Sequence, residues 1–261
     1  MKYIIQIFAS RSRLFSLALI TSFFIIETFW PYLVISKNRT RHTIRNMSLM
    51  LIYIFFAAPI NYLGVLWFEY VDRKGFGLLN VFHISGLTKI VIGLFLLDLG
   101  DYFYHRLSHK WKIIWGYHRV HHGDHLMDVT TGYRFHPFES LGLLGTQIIS
   151  SFIFGYGLGT VALYYTLYIP LVIMQHANVR FPYFFEKYAG YLISTPDFHR
   201  VHHSYPKSLT DSNYGDLFSV WDRLFGTFKK IDPAQLQFGL ENHKDEKKHT
   251  FWYMISEPFR K

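Results

Sequence analysis

The chain contains no cysteine. Disulfide-stapled secreted domains, cysteine zinc ribbons and thiol enzymes are therefore excluded. Acidic residues are scarce, with 18 Asp+Glu against 27 Lys+Arg and a net charge of +9. No fixed-period repeat and no Gly-, Ser- or Pro-rich linker divides the 261 residues, so one unit over 1–261 is expected. Apolar and aromatic residues are abundant instead, at 50% and 20%, which excludes intrinsic disorder. Basic charge with this much apolar sequence points to a membrane protein. No stretch has the basic, aromatic-interleaved face of a nucleic-acid site, so no nucleic-acid partner is expected.

Long apolar runs supply the expected architecture. Residues 14–36 contain one acid, Glu27, and residues 47–68 contain no charge. A span needs about 20 mostly apolar residues, so both qualify. The first run is too long for a signal-peptide core and carries Trp30-Pro31 without a small-residue cleavage site, so it reads as an anchor. Residues 141–176 are charge-free. As one helix they would reach about 54 Å, against a bilayer core of about 30 Å. Gly155-Tyr-Gly-Leu-Gly159 interrupts them, so a hairpin of two helices, 141–157 and 159–176, is expected. Residues 87–104 have a shorter charge-free core between Lys89 and Asp98. They read as a helix that crosses the bilayer and runs on into water, with the lysine snorkelling; a partly inserted helix is the alternative.

The expected fold is thus an all-α integral membrane bundle of four to five spans with a cytoplasmic helical cap. Lys37, Arg39, Arg41 and Arg45 lie between the first two runs. Positive-inside bias places that loop in the cytoplasm, against the opposite vote of Lys2, Arg11 and Arg13. A third crossing then brings the histidine-rich segments to the same face, and the hairpin returns the chain there.

Fifteen histidines remain to be explained. Asp98, Asp101, His105 and His109 share one face of a helix. His118-Arg-Val-His121-His122 recurs 81 residues later as His199-Arg-Val-His202-His203. Positions i, i+3 and i+4 project to one side, so each copy is expected to offer up to three nitrogens to one point. Neutral imidazole suits zinc, copper, iron and nickel. Two triplets and one pair supply eight nitrogens, more than one tetrahedral zinc takes. They match two metals, each with four or five nitrogens and an open position. Asp98, Asp101 and Asp197 are expected to orient imidazoles by accepting their outer N–H. His42, His83, His243 and His249 read as ordinary residues.

These residues resemble the fatty acid hydroxylase superfamily, the membrane di-iron group that includes sterol desaturases and fatty acid hydroxylases. Its HxxxH, HxxHH and HxxHH boxes stand here as His105–His109, His118–His122 and His199–His203. Asp98 with Tyr102 and His105-Arg106 resembles the family's first helix. Asp128-Val-Thr-Thr-Gly-Tyr-Arg-Phe-His-Pro-Phe-Glu139 is similar to the segment after the second box in the sterol desaturase branch. Asp197–Ser204, Asn213-Tyr-Gly-Asp216 and Trp221–Thr227 resemble the third box and its tail. The likeness runs over 98–227; residues before 80 match only as apolar helices, and those after Thr227 add little. His125 departs from the pattern and receives no metal role.

The resemblance implies two further ligands, His136 and His176, and a centre of two Fe2+ ions with O2 as co-substrate. It implies no catalytic side chain beyond that centre, and hydroxylation or desaturation of a C–H bond in a membrane lipid such as a sterol or fatty acyl chain. No NAD, flavin or haem motif is visible. Electrons are therefore expected from a separate reductase with a ferredoxin- or cytochrome-type carrier. The expected location is the bacterial inner membrane or endoplasmic reticulum, with the metal site on the cytoplasmic face. The rival reading is a metal-binding or metal-transporting membrane protein without oxygenase activity. Transporters, however, place ligands near the midplane of their spans. A bis-histidine haem carrier would need paired histidines on facing spans, and the hairpin ends with only His176.

Overall fold

The computed structural model describes residues 2–33, 38–241 and 245–260, with side chains from residue 14 onward. The end of the 14–36 run, Lys37, His243 and the side chains of Lys2, Arg11 and Arg13 lie outside the described residues. Among the described residues there is no strand; two isolated bridges, Ile193–Phe218 and Ser204–Phe238, pin loops together.

Helix α1 (Lys2–Phe29) ends at Trp30-Pro31. Helix α2 (Arg39–Lys74) is 36 residues, about 54 Å, and outreaches its own apolar stretch. Arg39, Arg41 and Arg45, expected in a loop, are its first turns. An N-terminal extension of the helix costs little because these turns bury His42 and Asn46 beneath the histidine-rich segments. A turn, α3 (Leu78–Val81), leads to α4 (Gly86–Lys110), which continues beyond the expected 104 and carries His105 and His109. Helix α5 (Lys112–His122) follows, then α6 (Glu139–Phe154) and α7 (Leu158–His176), which form an antiparallel hairpin. Short helices α8 (Tyr183–Tyr188), α9 (Pro196–His202), α10 (Lys207–Thr210), α11 (Val220–Leu224) and α12 (Phe251–Ser256) complete the chain.

The hairpin turn is tied to the far end of α2. Gly155, at φ 82°, sits so close to the α2–α3 turn that a Cβ there would lie 2.2 Å from the Phe76 carbonyl. Only glycine fits that approach and that backbone. The Asp72 carboxylate accepts from the Leu158 N–H at 3.0 Å, capping α7. Helix α4 packs on both hairpin helices, α2 on α6, and α1 on α7. Phe68, Leu94, Leu97, Tyr156, Val161, Tyr164 and Leu171 fill the space between them.

Among the described residues two helices are long and apolar enough to cross a membrane: α2 with its following turn (Arg39–Val81), and α7. The apolar part of α1 from Leu14 and helix α6 are shorter. Helix α4 is not among them, because Asp98 and Asp101 interrupt its apolar sequence. Leu51, Ile54, Phe55 and Leu63 of α2 and Ile149, Phe152 and Ile153 of α6 are exposed. Large side chains on so many consecutive turns form a contiguous apolar surface that suits lipid contact.

Candidate metal centre

The two His-Arg-Val-His-His copies sit on α5 and α9, and the two helices trade their middle histidines. His105, His109, His118, His122 and His202 form one buried group. His121, His176, His199 and His203 form the other. Each helix thus gives its i and i+4 histidines to one group and its i+3 histidine to its neighbour. The expectation that each triplet serves one point is corrected here. At about 100° per residue, i+4 returns to within about 40° of i, while i+3 lies about 60° to the other side. The first group is completed by the i, i+4 pair of α4, the second by the last residue of α7. His122 and His203 stack with ring centroids 4.5 Å apart, so the groups share a wall.

The outer nitrogens define the inner ones. His105 Nδ1 lies 2.8 Å from the Tyr214 carbonyl, His202 Nδ1 2.7 Å from that of Ser212, and His176 Nδ1 2.8 Å from that of Val172. A carbonyl only accepts, so each Nδ1 carries the proton and each Nε2 presents a lone pair inward. His118 Nδ1 meets Glu139 Oε1 at 2.5 Å, and His109 Nδ1 meets Asp211 Oδ1 at 3.4 Å. In the first group His118 Nε2 faces those of His105 and His122, each at 3.1 Å. In the second, His176 Nε2 faces His121 at 3.3 Å and His199 at 3.0 Å, and His199 faces His203 at 3.1 Å. The Nε2 atoms of His109 and His202 are buried with no hydrogen-bond partner.

Converging lone pairs repel unless a cation lies among them. Two nitrogens bound at about 2.1 Å to one metal at a right angle stand about 3.0 Å apart, the spacing found here. Burial, and next the neighbouring imidazoles, hold His109, His121, His122, His199 and His203 well below their ordinary pKa. His118 is lowered too, by burial that outweighs Glu139. Neutral imidazole is the ligand form. His105 is the exception: burial lowers it, but the Asp216 carboxylate 3.3 Å away outweighs that and raises it. Five and four nitrogens without a sulfur fit a pair of first-row transition metals.

His136 stands apart from both groups. Its Nε2 lies 3.1 Å from the Ile255 carbonyl, and its Nδ1 accepts from the Phe138 N–H at 3.2 Å, so both nitrogens are engaged elsewhere. The three carboxylates expected to orient imidazoles do other things. Asp98 accepts from the N–H groups of Leu217 and Phe218 and from Trp221 Nε1 at 2.7 Å, holding the tail loop on α4. Asp101 Oδ2 accepts from Gln147 at 2.9 Å. Asp197 accepts from Arg200 at 2.7 Å. On α4, Asp98 and Asp101 share the face of His105 and His109, but a turn or two separates them from the imidazole nitrogens, while Asp197 lies two residues before His199 and points to another side of α9.

The orienting groups missed in the sequence are Glu139, Asp211, Asp216 and the carbonyls of Ser212 and Tyr214. A carbonyl leaves no trace in a sequence, and Glu139 becomes relevant only because α6 starts beside α5. Asp222 accepts from Tyr214 N at 2.8 Å and Gly215 N at 2.7 Å, which fixes the turn that faces His105. His42, read as ordinary, lies 2.8 Å from Asp124, two residues after His122. Asn46 donates to Asp124 at 3.2 Å and to Thr130 at 3.0 Å, and Arg134 donates to Asn46 at 3.3 Å. Glu27 accepts from Arg39 at 2.6 Å and from the N–H groups of Val129 and Asn178. This buried floor joins α1 and α2 to the segment after α5. The end of the chain contributes as well: Glu257 lies 3.3 Å from Arg119, and Met254 packs on Leu49 and Val120.

A cavity of about 510 Å³ opens on both groups. His105 and His118 of the first and His121, His176 and His199 of the second line its inner end. Ile54, Val65, Phe68, Leu144 and Val161 line its walls between α2, α6 and α7. Tyr104, Gln147 and Tyr165 add polar groups along it.

The fatty acid hydroxylase family model matches residues 90–227. The chain belongs to this family. All nine grouped histidines fall within the matched fatty acid hydroxylase segment. Among curated relatives, alkylglycerol monooxygenase of Danio rerio is 35% identical over 141 residues, which cover 51% of this chain and 28% of the relative. Ornithine lipid hydroxylase of Rhizobium tropici is 31% identical over 144 residues, or 54% and 41% of the two chains. Lathosterol oxidase of Homo sapiens is 29% identical over 153 residues, or 55% and 47%. The match thus spans less than half the length of each relative. No solved structure matches the chain.

Proposed function

We propose that this fatty acid hydroxylase family member is a membrane-bound oxygenase that oxidises a C–H bond of a lipid at a centre of two iron ions. The observation that carries this reading is a cavity, apolar along its walls, that ends on histidines of both groups. His105, His109, His118, His122 and His202 would hold one ion, and His121, His176, His199 and His203 the other. Bound iron supplies the redox capacity to activate O2 for attack on an unactivated C–H bond. The protein's own contribution is placement. Tyr214, Ser212, Val172 and Glu139 fix ring orientation from the outer nitrogens, and such partners are worth about 10- to 100-fold in metal affinity or activity. The apolar walls select an alkyl or ring skeleton and keep water from the reacting carbon. The named activities of the three relatives all concern lipids, which agrees with this lining.

The chain is read as a multi-pass membrane protein, a reading that the exposed apolar belts of α2 and α6 support, with the histidine end toward the cytoplasm, where reduced carriers are found. A separate one-electron carrier completes the system. Comparative lipid analysis of host cells with and without the chain tests the proposal. A lipid should appear that differs by one oxygen or two hydrogens, and a His199→Ala chain should not produce it. An active His199→Ala chain would refute the assignment.

A further inference from the structure

Five of the nine grouped histidines line the cavity, and four do not: His109, His122, His202 and His203. Substrate therefore meets one side of the centre, and the other side faces away from it. On that far side His109 alone is joined to a partly solvent-exposed carboxylate, Asp211, whose side chain is 34% exposed. The cover between water and the first group is there one side chain thick. Lys110 follows His109 at the end of α4, the Lys207 carbonyl accepts from the Asp211 N–H at 2.8 Å, and the charges of both, with that of Lys229, act on the Asp211 carboxylate. All three are exposed, and Lys229 is steadied by donating to the Ser208 carbonyl. Trp115 lies beside His109, with ring centroids 5.0 Å apart, and beside His122 at 5.6 Å. Trp111, four residues earlier, is exposed.

We propose that this lysine collar around Asp211 is the docking surface for an acidic, one-electron carrier protein, and that electrons enter the centre through Asp211–His109 and Trp115. The proposal rests on the oxygenase reading and adds the partner's chemistry and its place. Electron tunnelling falls off exponentially with distance, so the donor must meet the thinnest cover. Three cations around one carboxylate favour an acidic face and steer its approach. Docking here also leaves the apolar cavity on the other side of the centre undisturbed. Oxidation of a C–H bond by O2 takes two electrons and two protons, giving C–OH and one water, or C=C and two waters. Two reduced carriers, each oxidised by one electron, supply them in sequence.

The test uses the full chain, iron-loaded in detergent, with an acidic [2Fe–2S] ferredoxin as probe. Binding is measured by thermophoresis at low and at moderate salt, and lipid oxidation is driven either by reduced ferredoxin or by dithionite. Lys110→Glu/Lys207→Glu/Lys229→Glu should weaken ferredoxin binding at least about tenfold at low salt. Raised salt should weaken binding to the unaltered chain in the same direction. Dithionite-driven oxidation should persist in the variant. Arg73→Glu/Lys74→Glu, at the opposite end of α2, should bind ferredoxin like the unaltered chain. Unchanged binding in the triple variant, or equal loss in the Arg73/Lys74 variant, would overturn the proposal. Should the triple glutamate chain fail to fold, the triple glutamine chain gives the same two readouts. Failure of the oxygenase reading is seen separately, as a chain that binds ferredoxin but oxidises no lipid with either reductant.

Discussion

A His121→Ala chain will lose the metal of the four-histidine group, although most of its helix serves the other group. Three nitrogens would remain around that site, from His176, His199 and His203. Loss of a ligand exceeds the effect of an outer partner, so lipid oxidation should fall by more than about 100-fold. His122→Ala, one residue on, removes one of five nitrogens from the neighbouring group and leaves four. Four nitrogens still satisfy a first-row metal, so this chain should keep both ions through dialysis and lose less activity. Metal content after dialysis, read for both variants side by side, checks the exchange of histidines between α5 and α9. If both variants lost the same ion, the exchange would be wrong.

Asp124→Ala should be the most damaging change outside the ligands. The carboxylate is fully buried, and although burial alone would raise its pKa, His42 and Arg134 outweigh that and hold it well below the usual range. Its oxygens receive Asn46 and Thr131 and pair with His42 at 2.8 Å. Alanine leaves the His42 ring with Asp128 alone, 3.3 Å away, and takes from the wholly buried Arg134 guanidinium the stronger of the two carboxylate fields that act on it. Breaking a buried pair by removing one partner costs about 3–5 kcal/mol. The His121-His122 end of α5 is attached through this floor, so thermal unfolding should shift down and metal should be lost with it. A chain that melts unchanged would show that the floor carries no stability.

The donor set was legible because its signal is local. Histidines at i, i+3 and i+4, repeated on two segments, state which side chains share a helical face. Their partition was not legible, because it depends on how α5 and α9 face each other across the chain. His176 was placed by resemblance and joins a group; His136 was placed the same way and does not, because the Ile255 carbonyl 119 residues away occupies its ring. The carboxylates illustrate the same limit. Asp98 and Asp101 share the face of His105 and His109, yet their partners are loop amides, Trp221 and Gln147. The actual orienting acids, Glu139, Asp211 and Asp216, come from separate segments that only tertiary packing assembles. The hairpin was readable from a charge-free run with glycines in its middle. The length of α2 was not, because its first turns are polar and are helical only by virtue of the buried floor beneath them.

The central claim is that a two-metal, all-histidine centre at the end of an apolar cavity oxidises a lipid C–H bond. The most direct measurement reduces the iron-loaded chain without oxygen using stoichiometric dithionite, removes the excess, adds a lipid extract from the host membrane and then 18O2, and follows the lipids by mass spectrometry. A product that carries one 18O atom, or that lacks two hydrogens, should form only with iron and O2 present. A chain holding both ions that changes no lipid under these conditions, or a zinc-loaded chain that yields the same product, would contradict it.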